Sequence, residues 1–271
     1  QVPSILGKGK ADSQECKEWV ETRLEQMTLK EKIGQLFIHT APLQDNEATH
    51  KNLRNAVKEY KVGGLLFSGG ALATQAKLTN MAQEMAGIPL LMTFDGEWGL
   101  AMRLKQLPAF SRNRVMGCIQ DNGLIYEYGR EVARQCREVG VHVNFAPVAD
   151  VDNNPQNPVI NTRSFGGDPR NVAEKVVAYS RGLEKGGVLS VSKHFPGHGD
   201  TDLDSHLALP TLNFGRERLD SIELYPFRET FKAGLGGVMV AHLAVPALEK
   251  EKDRQVICLY TKSRSELFGL L

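Results

Sequence analysis

Lys193 to His206, KHFPGHGDTDLDSH, places three of the chain's seven histidines and three aspartates within fourteen residues. Imidazoles and carboxylates at this density could do two kinds of chemistry. In one, His194, His198 and His206 with Asp200, Asp202 or Asp204 ligate a divalent metal, for which both groups are competent. Ligands four apart carry most weight on a helix, however, and Pro196 and Gly197 argue against a helix between His194 and His198. In the other, Asp204 and His206 form a dyad, because residues two apart in an extended segment point the same way. The carboxylate would accept from one imidazole nitrogen, fix the tautomer and leave the other nitrogen facing a substrate, as a general acid/base requires. Lys193 and His194 would then donate to substrate hydroxyls. Spacing alone leaves both readings open, beside the plainer one of a solvated acidic loop. Pro196, Gly197 and Gly199 keep the backbone out of regular structure, so in every reading these groups ride on a loop.

Such a loop needs regular elements to hold it. Several apolar runs share one pattern, a glycine, then β-branched or aliphatic residues, then a polar or glycine-containing break: VGGLLFSG from Val62, GIPLLMTFD from Gly87, GVHVNFAPVAD from Gly140, GGVLSVSKHFPG from Gly186 and GGVMVAHL from Gly236. IGQLFIHT from Ile33 has a similar shape. Continuous rather than alternating runs predict strands covered on both faces of a parallel sheet. Between them the spacing is helical. Val172, Val176, Tyr179 and Leu183 recur at four, three and four residues before Gly186 and Gly187. Leu224, Phe227 and Phe231 do the same before Gly234, and Cys16, Val20, Leu24 and Met27 mark an amphipathic helix. Thr28 with Glu31 forms a capping-box pattern.

Alternation of this kind predicts an α/β fold, either a doubly wound open sheet or a (β/α)8 TIM-type barrel, with chemistry at the carboxyl ends of the strands. Asp95 ends the third run, Asp150 the fourth, Lys193 and His194 the fifth and His242 the sixth. Polar residues at nearly every strand end from the third on favour the barrel, and the absence of GxGxxG and Walker-type patterns weighs against a nucleotide-binding open sheet. Residues 1–30 read as an N-terminal helical segment packing on a barrel domain at 31–271.

Lys plus Arg (33) nearly balances Asp plus Glu (32), with no basic block, so a nucleic-acid partner is not expected. A small polar or neutral ligand fits better. No apolar run reaches bilayer length, so no membrane span is expected. Cys16, Cys118, Cys136 and Cys258 lie far apart, without zinc-type spacing, and read as free thiols. The sequence opens on Gln1, and an exported or periplasmic location is favoured over the cytoplasm. A monomer is expected.

KHFPGHG followed by four residues and Asp-Ser-His resembles the signature of glycoside hydrolase family 3, in its β-N-acetylglucosaminidase (NagZ-like) branch. IGQLF, FDGEWG (Phe94 to Gly99), FAPVADV (from Phe145), NTRSFGGD (from Asn161) and MVAHLAVPAL (from Met239) resemble family segments in family order. The resemblance implies a (β/α)8-barrel enzyme without metal or other cofactor. It would remove terminal β-linked N-acetylglucosamine with retention of configuration, from peptidoglycan (muropeptide) fragments, making a small carbohydrate the substrate. By the same resemblance His206 is the acid/base and Asp204 its partner, while Asp95, Arg103, Arg163, Lys193 and His194 grip ring hydroxyls. Met239 and His242 line the pocket wall. Arg163 and Arg103 could equally be surface salt-bridge residues, and Asp150 could support the site or cap a helix. His39, His50 and His142 read as structural, and Trp98 as pocket wall or packing.

An imidazole in place of the usual carboxylic acid departs from the two-carboxylate scheme, and a carboxylate nucleophile is still required. In the resembling family that aspartate follows the seventh strand. The candidate run here is LFGLL, Leu267 to Leu271, where the sequence stops, so the nucleophile is expected just beyond Leu271 and the barrel lacks its last strands. Glu249 to Arg264 departs from the family pattern. A molecule ending at Leu271 is expected to be nearly inactive. The competing expectations are a metal-dependent hydrolase using the same His/Asp cluster and a catalytically inactive sugar-binding barrel.

Overall fold

The computed structural model describes residues 13–105, 107–201, 209–234 and 236–248. It divides into two compact units, the first formed by residues up to Ala109 with Val132–Asn144 and Gly187–Leu189, the second by the remainder.

The first unit begins with α1 (Gln14–Gln26) and α2 (Leu29–Gly34). Local caps set their limits. The Ser13 hydroxyl accepts from the Cys16 N–H at 3.2 Å, and at α2 the Thr28 N–H donates to Glu31 at 2.9 Å while the Glu31 N–H donates back to the Thr28 hydroxyl at 3.3 Å. The capping box is the one expected from the sequence. The apolar stripe of α1 behaves differently, since no α1 residue is buried and Val20 and Leu24 are 40% and 47% exposed. Here propensity and caps, rather than a covered face, form the helix.

Then follow β1 (Ile38–Ala41), α3 (Glu47–Arg54) continued by a π-type turn at Asn55–Glu59, β2 (Gly64–Phe67), α4 (Leu72–Met85), β3 (Leu91–Phe94) and β4 (Val143–Asn144). Ile33 and Gly34 of the first apolar run close α2, and the strand starts at Ile38. These four strands are parallel and in sequence order, with Ile38 opposite Gly64, Gly64 opposite Leu91 and Thr93 opposite Val143. Gly64, Leu65 and Phe67 of β2 and Met92, Thr93 and Phe94 of β3 are buried, so both faces of these strands are covered, as continuous rather than alternating runs require.

The second unit contains α5 (Asn113–Met116), the first part of α6 (Asn122–Glu138), α7 (Pro169–Lys185), most of β5 (Leu189–Phe195), α8 (Arg216–Ser221), α9 (Tyr225–Lys232) and β6 (Gly237–Val240). β5 and β6 are parallel; the register pairs Lys193 with Met239, then slips so that Phe195 faces Val240. On the other side of β5, Val191 and Lys193 donate to the carbonyls of Ala146 and Pro147 at 2.9 and 3.1 Å. Asp168 caps α7 through the Arg170 N–H, and the stripe Val172, Val176, Tyr179 and Leu183 is fully buried, as its spacing predicts. α6 and α7 approach through facing glycines: a Cβ on Gly129 would stand 2.3 Å from the Tyr179 carbonyl oxygen, and one on Gly182 2.1 Å from that of Tyr126.

Phe195 at the end of β5 packs edge-on against Phe227 of α9, with ring centroids 5.3 Å apart, inside a core that includes Val176, Leu219 and Leu224. No described helix is long and apolar enough to cross a membrane. Phe227→Ala is expected to destabilise the fold by about 3–5 kcal/mol, since a fully buried aromatic leaves both lost transfer energy and a cavity; urea denaturation measures the loss.

Candidate active site

Asp150 lies at the centre of the polar groups of the second unit and is fully buried. Its carboxylate accepts from the His198 N–H at 2.7 Å, from the His194 N–H at 3.2 Å and from the His194 ring through Nδ1 at 2.7 Å. Burial pushes the Asp150 carboxyl up, but the charge and hydrogen bond of the His194 imidazole and the His198 N–H outweigh it. The carboxyl is held below the ordinary aspartate value. An ionised Asp150 requires a proton on His194 Nδ1. His194 Nε2 faces Arg163 Nη2 at 3.4 Å, and since a guanidinium can only donate, Nε2 presents its lone pair.

Arg163 closes the 3₁₀ turn Asn161–Arg163. Its carbonyl accepts from Asn113 Nδ2 at 2.9 Å, its Nη1 donates to the Val159 carbonyl at 3.2 Å, and the next residue, Ser164, donates to the Asp150 carbonyl at 2.6 Å. The turn that carries the guanidinium is thus tied to the residue that orients His194. Lys193, on β5 beside His194, is 2% exposed. Met239 on β6, level with Lys193 in register, is half-buried, and His242 just past that strand is exposed.

His198 is buried and serves the loop. Its Nδ1 lies 2.6 Å from the Thr201 hydroxyl, and Asn157 Nδ2 donates to the carbonyls of His198 and Gly199 at 2.8 and 3.0 Å. Burial pushes the His198 imidazole below its ordinary value, against the opposing pull of Asp150. Asp204 and His206 lie outside the described residues. Among the described residues no group of three His, Cys, Asp or Glu side chains could hold a metal ion.

In the first unit, Asp95 follows β3 and forms an ion pair with Arg103. The intervening turn is clamped by the buried Asn144, whose amide accepts from the Gly96 N–H and donates to the Gly96 carbonyl, both at 3.0 Å. Glu97 is fully buried beside a half-buried Trp98. His39 bonds Asn52 and His50 bonds Asp45, both at 2.8 Å, while His142 Nδ1 accepts from the Met92 N–H at 3.0 Å. All three have the local partners that a structural role requires.

A family model for the glycosyl hydrolase family 3 N-terminal domain matches residues 28–263. The chain belongs to glycoside hydrolase family 3. Its α/β fold, strands alternating with helices, is that of the family 3 barrel-type N-terminal domain. Among family 3 relatives, "Beta-hexosaminidase A" of Pseudoalteromonas piscicida is 36% identical over 214 residues, which is 74% of this chain and 36% of that protein. A family 3 β-N-acetylglucosaminidase from Paenibacillus sp. str. FPU-7 superposes with a TM-score of 0.76 at 40% identity, over 83% of this chain and 44% of that one. NagZ from Neisseria gonorrhoeae, solved with N-trifluoroacetyl-D-glucosamine, gives 0.68 at 29% identity, over 78% of this chain and 65% of that one. The chain therefore spans less than half the length of the first two.

Within this family 3 chain, sequence reasoning left Asp150 undecided between support and helix capping. The structure assigns it to support, because its carboxylate takes three N–H groups and caps no helix. A signal was present in the sequence, an acid at the end of an apolar run, but its partners stand 44 and 48 residues away and only folding pairs them. Asn144 and Asn157 gave no signal, as asparagines in or after an apolar run read as turn formers.

With a depressed carboxyl, Asp150 contributes stability that is present above its unfolded value of 3.8 and lost as pH falls through the folded value. Asp150→Asn is expected to lower stability at pH 7 by about 3 kcal/mol, because the His194 ring and two N–H groups lose their ionised acceptor. The variant should also lack this acid-side loss below pH 3.8, while the His198 component, lost as pH falls below 6.5, persists in both proteins. Denaturation midpoints across pH 3–8 measure both effects.

Proposed function

We propose that the protein containing this chain is a retaining, exo-acting β-N-acetylglucosaminidase that removes terminal β-linked N-acetylglucosamine, in nature from peptidoglycan fragments. The observation that carries this reading is the strand-end arrangement in which buried Asp150 sets the His194 tautomer beside Arg163 and Lys193. Fixed donors and acceptors of this kind suit vicinal sugar hydroxyls, which both give and accept hydrogen bonds. Relatives named β-hexosaminidase and β-N-acetylglucosaminidase, and a neighbour solved with an N-acylated glucosamine, support the choice of sugar. In this reading Arg163, Lys193 and His194 of the second unit hold the ring, and Met239 and His242 form the wall.

His206, partnered by Asp204, gives its proton to the glycosidic oxygen while a carboxylate nucleophile attacks the anomeric carbon. The C–O bond to the leaving group breaks and a covalent glycosyl ester forms. Neutral His206 then takes a proton from water, whose oxygen displaces the carboxylate and restores the β configuration. An imidazole with an ordinary value of about 6.5 suits both proton transfers near neutrality.

The full-length protein is expected to hydrolyse aryl N-acetyl-β-D-glucosaminides and a β-1,4 disaccharide of N-acetylglucosamine with N-acetylmuramic acid, releasing β-N-acetylglucosamine first by NMR. His206→Ala should lower the rate about 100-fold or more on substrates with poor leaving groups and much less on activated aryl glycosides. An α-anomeric first product, or equal loss for all leaving groups, would overturn the assignment.

A further inference from the structure

The stretch Gly197–Thr201, immediately before the segment that carries Asp204 and His206, is held on every side by backbone or buried groups. The His198 N–H is taken by Asp150 at 2.7 Å, and the carbonyls of His198 and Gly199 are taken by Asn157. A Cβ on Gly199 would stand 1.8 Å from the Val151 carbonyl oxygen, and Gly197, at φ +131°, would put one 2.7 Å from the Glu223 Cβ. Asp200 is the charged end of this stem. It accepts from Arg218 Nη2 of α8 at 2.5 Å, and the same nitrogen reaches Glu223 Oε1 at 3.3 Å. The Arg218 guanidinium also stacks on the Phe214 ring, 3.9 Å from its centroid.

Glu223 is unusual in this arrangement. It is 2% exposed, and besides Arg218 its carboxyl draws on its own backbone N–H and on the Asn153 amide. Burial pushes its carboxyl above the ordinary glutamate value, against the opposing pull of its own N–H, Arg218 and Asn153. A buried acid paired with one arginine is a poor device for stability, because desolvation offsets the attraction. A planar guanidinium between two carboxylates is, by contrast, a good device for fixing position.

We propose that Arg218 and Glu223 are positioning residues for the acid/base step, holding the Gly197–Asp200 stem so that the residues after it deliver their proton to the glycosidic oxygen. The inference rests on the glycosidase reading above. Neither residue touches substrate in it; both act through Asp200. Misplacement of an acid by about 1 Å can cost on the order of 100-fold in rate, and in sequence the stem leads directly into the stretch that carries Asp204 and His206.

The test uses the full-length enzyme with Arg218→Met, Arg218→Lys and the isosteric Glu223→Gln, each checked for folding by circular dichroism. Rates are compared on an activated 2,4-dinitrophenyl and an unactivated alkyl N-acetyl-β-D-glucosaminide. For Arg218→Met, kcat should fall about 30- to 100-fold on the alkyl glycoside and less than about 5-fold on the activated one. KM should stay within about 3-fold of the parent, because uniform binding is untouched. Arg218→Lys should recover part of the loss, and Glu223→Gln should show the same leaving-group pattern at about 10-fold. If Arg218→Met does not fold, Glu223→Gln decides alone. Equal loss on both substrates, a rise in KM without a fall in kcat, or unchanged rates overturn the proposal. A parent enzyme that is active, with His206→Ala showing the leaving-group pattern and the stem variants not showing it, overturns the positioning role alone. An inactive parent overturns this inference together with the reading it rests on.

Discussion

A carboxylate with no access to water must be surrounded by donors, and at Asp150 that requirement organises everything near it. The charge is tolerated because three N–H groups converge on it, two from the backbone and one from an imidazole. Meeting the demand fixes the His194 ring and turns its Nε2 toward Arg163. It also draws in the backbone at His198, so the loop leaving β5 starts from a point set by electrostatics. The Ser164 bond to the Asp150 carbonyl extends the same control to the turn that holds Arg163. One buried charge thus aligns groups contributed by two separate stretches of chain, at 163–164 and at 194–198.

Elsewhere a similar result is obtained without charge. Asn144 pairs with both polar groups of Gly96 and so acts as a short strand partner for the turn after β3. Asn157 does the corresponding work at His198 and Gly199. Side-chain amides suit this task because each presents a donor and an acceptor in the geometry of a peptide group. Loops that carry functional residues are therefore braced by neutral residues that take no part in chemistry.

The regular elements were legible because apolar runs and helical stripes follow from burial alone. β2, β3, β5 and β6 lie within the predicted runs, and Val172 to Leu183 form the buried face of α7. α1 shows where that logic ends: its stripe has helical spacing yet lies exposed, since periodicity reports a face and not what covers it. Strand-end placement of Asp95, Lys193 and His194 was also readable. The pairing of Asp95 with Arg103, the contact of His194 with Arg163 and the brace at Asp200 were not. Each depends on partners brought together by tertiary contacts that no local pattern encodes.

The facing glycines of α6 and α7 have a consequence for how this sequence can drift. Each makes room for the other helix's backbone, with Gly129 set against Tyr179 and Gly182 against Tyr126. A side chain at either position would push the helices apart and leave the remaining glycine without its contact. The second replacement would then meet a gap rather than a clash. Substitutions here should be epistatic, each harmful alone and the second less harmful after the first, so lineages should tend to keep both glycines or lose both.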